Sequence, residues 1–193
     1  MDHDPASDRA IVARIHAGDP GALDEVYQRY ARAVHSLAFR IVRDAATAED
    51  VTQEVFLKLW RQPDSYNPER GALGSWLLSV AHNRAIDVIR RKRVREESPL
   101  PETRESAEVI SDGSADLSEV AGVKEAADAV RRALQKIPAN QREAIEMAFF
   151  QGKTHAEISA ELGEPLGTAK TRIRLGMRKL RTILEEEGVV THA

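Results

Sequence analysis

Apolar residues recur at intervals of three and four along most of this chain, and no segment alternates with the period of a strand. Leu23, Val26, Tyr27, Tyr30, Val34, Leu37, Ala38 and Ile41 fall on one face of a helix. Thr47 followed by Asp50 resembles a capping box ahead of Val51, Val55 and Leu59 at four-residue spacing. After the turn-rich stretch PDSYNPERGALG, Leu77, Val80, Ala81, Ala85 and Val88 mark a further helix, with Trp76 at its start read as packing.

The C-terminal part is punctuated in the same way. Pro138 opens a helix that runs to about Phe150 and stops at Gly152. Thr154 and Glu157 form a second capping box, opening a helix that ends at Gly163. Beyond it Ala169, Ile173, Met177, Leu180 and Leu184 share one stripe, so two helices are joined by a short glycine turn as in a helix-turn-helix. Between the halves lies EESPLPETRESAEVISDGSADLSEVAG, rich in Ser and Glu and without an aromatic residue, which cannot bury enough apolar surface to order itself. A short helix near its end is allowed. The expected fold is all-α: two small helical domains, residues 1–96 and 129–193, joined by a flexible acidic linker, residues 97–128.

Composition sharpens this picture. The 193 residues are 42% hydrophobic, enough for a modest core in each domain. The net charge of -3 conceals a division, because residues 97–128 hold nine acidic and two basic residues while both flanks are net basic. There is no cysteine, which removes disulfides, thiol nucleophiles and thiolate metal sites. The N-terminal MDHDPASDRA is too polar for a signal peptide and no apolar run nears the roughly 18 residues of a membrane span, so a cytoplasmic protein without membrane insertion is expected.

Enzyme chemistry finds no foothold. Gly152-Lys153-Thr154 lacks the glycine a phosphate loop needs five positions earlier, where Met147 stands. His155-Ala156-Glu157 has no cysteines to complete a deaminase zinc site. Asp50 and Glu54 share a helix face without a catalytic companion. No catalytic residue, metal or cofactor is expected.

Two basic segments point to nucleic acid instead. TAKTRIRLGMRKLR, residues 168–181, carries six Lys or Arg and no acid. With the apolar stripe inward, Thr168, Thr171, Arg174, Leu175 and Arg178 face outward and Lys170 and Arg172 flank them, the layout of a recognition helix with base-reading and phosphate-holding residues. Gly176 on that helix weakens it by roughly 1 kcal/mol relative to alanine. The second segment, IRRKRVR at 89–95, follows a helix with Ser79, Asn83, Asp87 and Arg91 at four-residue spacing. Such residues can read exposed base edges, or Asn83 and Asp87 can simply stabilise the helix.

In order and spacing, DAATAEDVTQEVFLKLW, SWLLSVAHNRAIDVIRRKR and IPANQREAIEMAFFQGKTHAEISAELGEPLGTAKTRIR resemble the extracytoplasmic-function (ECF) group of bacterial sigma factors, over nearly the whole chain outside the linker. The resemblance implies an alternative sigma factor that directs core RNA polymerase to promoters. Its first domain would be sigma region 2, with Asp50, Gln53, Glu54, Phe56 and Trp60 on the beta-prime clamp helices. Of these, Gln53 and Glu54 are the stronger interface candidates, and Phe56 and Trp60 could equally be buried. Minus-ten reading would fall to Tyr66, Asn67, Arg70 and Gly71 in the loop and to Asn83, Arg84, Asp87, Arg90 and Arg91 on the helix, holding a base flipped from the non-template strand. Its last domain would be region 4, reading the minus thirty-five element through Thr168, Lys170, Thr171, Arg172, Arg174, Leu175 and Arg178 and resting on the beta flap. An anti-sigma factor is a further implied partner. The acidic linker, with Glu102, Glu105, Glu108, Asp112 and Asp116, would thread toward the polymerase cleft, although its composition also suits a soluble tether. The alternative is a stand-alone helix-turn-helix regulator that binds promoter duplex without core polymerase.

Overall fold

The computed structural model describes residues 5–97 and 121–189, and among them every element is helical. They belong to two compact units, Met1–Leu117 and Ser118–Ala193. The five linker acids Glu102, Glu105, Glu108, Asp112 and Asp116 lie outside the described residues.

The first unit begins with a helix that the periodicity above does not reveal, α1, Pro5–His16. Its apolar content is brief, Ile11, Val12 and Ile15, but Ile11 and Ile15 at four-residue spacing are both buried in the core. α2, Pro20–Val42, starts where Asp19 accepts the Gly21 N–H and Pro20 presets the first turn. It ends at Arg43, which adopts the left-handed conformation (φ 55) usually left to glycine. α3, Ala45–Arg61, is capped by Asp44, not by Thr47. The Asp44 carboxylate accepts both the Thr47 hydroxyl and the Thr47 N–H, at 2.5 and 2.8 Å, and these bonds hold its pKa below the usual carboxylate range. Thr47 therefore serves the cap from inside the first turn.

Two 3-10 turns, Pro63–Ser65 and Pro68–Arg70, lead into α4, Leu73–Glu97. Its first half buries Leu73, Leu77, Ala81, Ala85 and Ile86, while its second half carries the basic run 89–95 into solvent. Leu77 and Leu73 meet Val26, Val34, Val55 and Leu59 in one core, and each such side chain contributes about 1.5 to 3 kcal/mol by leaving water.

In the second unit α5, Ala121–Lys136, includes residues that composition assigns to the linker. Ala129 and Ala133 let it lie close against Leu180 and Leu184. α6, Ala139–Phe149, follows Pro138, and α7, His155–Glu161, opens on the expected capping box, with Thr154 and Glu157 each bonding the other's backbone N–H. Gly163 takes the left-handed turn (φ 64) that releases the chain toward α8, Leu166–Glu186. Ile158 on α7, Ala144 and Met147 on α6 and Ala169 on α8 form the centre of this helix-turn-helix.

The inward stripe of α8 runs through Gly176, not Met177. Gly176 is buried, whereas Met177 is 50% exposed. A Cβ on Gly176 would stand 2.7 Å from Ile145 Cδ1 and 3.1 Å from Gln141 Cβ, so the glycine is where α6 and α8 approach each other. The helix-propensity gain of alanine, about 1 kcal/mol, is then offset by overpacking of about 1 to 3 kcal/mol. Gly176→Ala is expected to lower the melting temperature in a thermal scan, and a higher one would show that α6 yields freely.

Candidate nucleic-acid interface

The outward face of α8 is basic and free of acidic residues from 168 to 181. Thr168, Lys170, Thr171, Arg174 and Arg178 are exposed along its first three turns, and Leu175 is half-buried at their edge. Lys170, Arg174 and Arg178 have no carboxylate partner among the described residues, so their charge remains available to an anion. Arg172 differs. It reaches back across the turn to an ion pair with Glu164, and both side chains are largely covered. Arg172, expected at phosphates, is paired within the helix-turn-helix with Glu164. Lys153, paired with Glu161, similarly ties the start of α7 to its end.

On α4 the polar stripe is intact: Ser79, Asn83, Asp87 and Arg91 are exposed at every fourth position, and Arg90 joins them. Arg84 sits beside this stripe but is held by Glu54 of α3 in a two-pronged ion pair, with Nη2 donating to Oε1 at 2.6 Å. This hydrogen bonding raises the Arg84 pKa above the ordinary guanidinium value, so the guanidinium stays charged. A residue expected to face polymerase and one expected to face DNA are thus joined to each other.

The loop before α4 divides into outward and inward residues. Asn67 and Arg70 are exposed, and Asn67 Oδ1 accepts the Glu69 N–H at 2.9 Å, which folds the second 3-10 turn. Gly71 closes that turn at φ 136, a conformation suited to glycine alone. Tyr66 points the other way: it is 5% exposed, packs edge-on to Trp76, and its hydroxyl lies 3.0 Å from the Gly71 carbonyl and 3.2 Å from Asp8. Burial, followed by the nearby Asp8 carboxylate, raises its pKa well above the usual phenol value, so the hydroxyl remains a donor. Tyr66, expected in the exposed loop, thus lies in the core beneath Asn67 and Arg70.

On α3, Asp50, Gln53 and Glu54 are exposed, whereas Phe56 is 4% exposed and tilts against Tyr27 with ring centroids 4.8 Å apart. Phe56 is therefore core, and Trp60, half-buried, packs against that core. Gln53 opens onto a groove of about 360 Å³ between α2 and α3, shared with Tyr27, Ala31, Arg32, His35, Glu49 and Thr52. Sequence reasoning missed Tyr27 here by placing it on the buried stripe; it is 43% exposed, as is Leu57 at 42%. The signal was present, since Tyr27 follows Val26 directly and two adjacent helical residues diverge by about 100°. Among the described residues no group of His, Asp and Glu is arranged to hold a metal.

These surfaces coincide with known modules. Residues 26–95 match the family model of Sigma-70 region 2, and residues 127–180 that of Sigma-70, region 4. The ECF RNA polymerase sigma factor SigK of Mycobacterium tuberculosis is 32% identical over 176 residues, 91% of this chain and 92% of its own. The ECF RNA polymerase sigma factor RpoE of Cereibacter sphaeroides is 34% identical over 163 residues, 84% and 86% of the two chains. Among solved structures, Rhodobacter sphaeroides SigE in complex with the anti-sigma ChrR is 29% identical, with a TM-score of 0.45, covering 93% of this chain and 98% of that one.

Proposed function

The chain belongs to the ECF group of sigma factors, and on that premise we propose how its residues divide the work of promoter recognition. It is an alternative sigma factor that binds core RNA polymerase and directs promoter-specific initiation. In our reading residues 1–96 act as region 2, residues 129–193 as region 4, and residues 97–128 as the acidic connection. Asp50, Gln53 and the α2–α3 groove take the beta-prime clamp helices, with Glu54 at their border. Asn67, Arg70, Asn83, Asp87, Arg90 and Arg91 take the minus-ten element, and Thr168, Lys170, Thr171, Arg174, Leu175 and Arg178 the minus thirty-five element. The second unit rests on the beta flap.

The observation that carries this reading is the one-sided build of α4 and α8, each with a buried apolar stripe and an exposed, hydrogen-bonding and cationic one. Arg84 enters the same face, and its bond to Glu54 fixes the direction in which its guanidinium points. The chain itself performs no chemistry in this scheme; strand opening is driven by capture of a flipped base, which must return the few kcal/mol lost on unstacking. No helix among the described residues is long and apolar enough to cross a membrane; a place beside polymerase in the cytoplasm is proposed on family membership. We extend to this chain an anti-sigma partner as well, on its family membership.

Asn83→Ala is expected to impair open-complex formation more than initial binding, because a flipped base is engaged only after the strands part. Permanganate footprinting of holoenzyme on matched and pre-melted promoters measures this. A defect confined to the matched template agrees with base capture, and an equal defect on both places Asn83 in folding or clamp binding.

A further inference from the structure

Buried carboxylates are uncommon, and the first unit contains one: Asp8, 5% exposed on the inward face of α1. Its Oδ2 accepts the N–H of Leu73 at 2.7 Å and faces the Tyr66 hydroxyl at 3.2 Å. Leu73 is the first residue of α4, so a side chain 65 positions earlier receives a helix N–H that has no partner within the helix. The position also suits a negative charge, since it lies at the positive end of the α4 dipole. The Tyr66 hydroxyl has one hydrogen to share between Asp8 and the Gly71 carbonyl. Asp8 thereby touches, directly or through Tyr66, residues 66, 71 and 73, which bracket the exposed Asn67 and Arg70.

Two more contacts of α1 reach the same stretch. Arg9 pairs with Glu69 in the second 3-10 turn, and His16 Nδ1 lies 3.4 Å from Asp64 Oδ1 in the first. Both are exposed and contribute little each. The buried Asp8 contact is the one that fixes geometry, because leaving the Leu73 N–H without an acceptor in the core is unfavourable and the Tyr66 hydroxyl would keep only the Gly71 carbonyl.

We infer that Asp8 is a positioning residue for promoter selection: acting through Tyr66 and the start of α4, it sets the shape of the 66–73 loop and hence which minus-ten sequences the loop accepts. This rests on the proposal that the loop reads the minus-ten element. Asp8 touches no DNA in this scheme, and α1 becomes part of the specificity apparatus instead of a mere N-terminal brace.

The test is initiation by reconstituted holoenzyme on a promoter pool randomised in the minus-ten element, read by sequencing the transcripts. Asp8→Ala is expected to reduce discrimination between the favoured minus-ten sequence and its single-base variants by about fivefold or more, the scale of one lost base contact. Preference at minus thirty-five and affinity for core polymerase are expected to stay as they were. Asp8→Asn keeps an acceptor for Leu73 N–H and should restore most of the discrimination, and Tyr66→Phe, which keeps the ring packing, should lose part of it. Should Asp8→Ala fail to fold, the Asn and Phe variants carry the test. A lower melting temperature with unchanged minus-ten discrimination would reduce Asp8 to a structural residue and overturn the inference. Asn67→Ala and Arg70→Ala separate the two failures: if they alter minus-ten preference and the Asp8 and Tyr66 variants do not, only the inference falls. If the loop variants are also silent, the loop reading falls and takes the inference with it.

Discussion

Leu77→Ala is expected to destabilise the first unit by about 2 to 5 kcal/mol, the largest effect of any single substitution considered for this protein. Leu77 is fully buried on α4, at the junction of residues from α2 and α3. Removing its branched end forfeits the transfer of those atoms from water and leaves a cavity that the backbones of three helices cannot close. A small domain holds only about 5 to 15 kcal/mol in total, so the melting temperature of this unit is expected to fall by about 10 °C or more. The functional consequence follows from α4 itself, which carries the core on one face and Asn83, Asp87 and Arg91 on the other. Minus-ten capture and clamp binding would weaken together. The second unit has its own core, centred on Ile158 and Ala169, and its transition in a thermal scan followed by circular dichroism should stay in place. A melting curve equal to the parent protein's would contradict the packing described for α4.

Arg174→Ala and Lys170→Ala are expected to fail differently. Arg174 lies on the centre of the exposed face of α8, where a guanidinium can meet a base edge through two hydrogen bonds. Its loss should cost holoenzyme about 1 to 3 kcal/mol on the favoured minus thirty-five sequence and little on others, so preference flattens. Lys170 lies at the flank, and its loss should weaken binding to every sequence while reducing the slope of log affinity against log salt by about 0.9. Arg172→Ala is the control that the structure supplies. With its guanidinium tied to Glu164, this substitution is expected to loosen the turn and lower stability, leaving the salt slope nearly unchanged. Anisotropy titrations of labelled promoter with holoenzyme at several salt concentrations distinguish the three outcomes.

What could be read from the chain beforehand was set by how locally each feature is encoded. The Thr154–Glu157 capping box and the left-handed turn at Gly163 are written within a few residues, and both stand in the structure as the sequence suggests. The polar stripe of α4 is equally local, since four-residue spacing alone puts Ser79, Asn83, Asp87 and Arg91 on one side. Apart from the Asp44 cap and the exposure of Tyr27, which are local, the differences arise where two distant segments decide. Helical spacing puts Met177 on the inward stripe because glycine carries no hydrophobic signal, yet the close approach of Ile145 and Gln141 selects Gly176. Asp44 was passed over as a cap in favour of the more familiar Thr47 pattern. α1 gives too short a pattern, three large apolar residues in a polar segment, and its Asp8 meets Tyr66 and Leu73 from far along the chain.

The candidate site divides in the same way. Residues placed by helical phase alone, among them Thr171, Arg174, Asn83 and Gln53, are exposed where the sequence puts them. Residues with a partner inside the protein are less legible: Tyr66 and Phe56 lie in the core, Arg172 pairs with Glu164 and Arg84 with Glu54. An aromatic or a guanidinium looks the same in sequence whether its partner is a base, a protein or its own core, and only the tertiary structure separates them.

Dependence of promoter binding on core polymerase tests the central claim most directly. A labelled duplex carrying both promoter elements would be titrated with the protein alone, with core polymerase alone and with the two together, at one fixed moderate salt concentration. Tight, saturable binding only in the presence of both, and its marked weakening by Arg174→Ala, is the result expected of two reading surfaces deployed on polymerase. Equally tight and sequence-selective binding by the protein alone would contradict it and assign these faces to a regulator that works without polymerase.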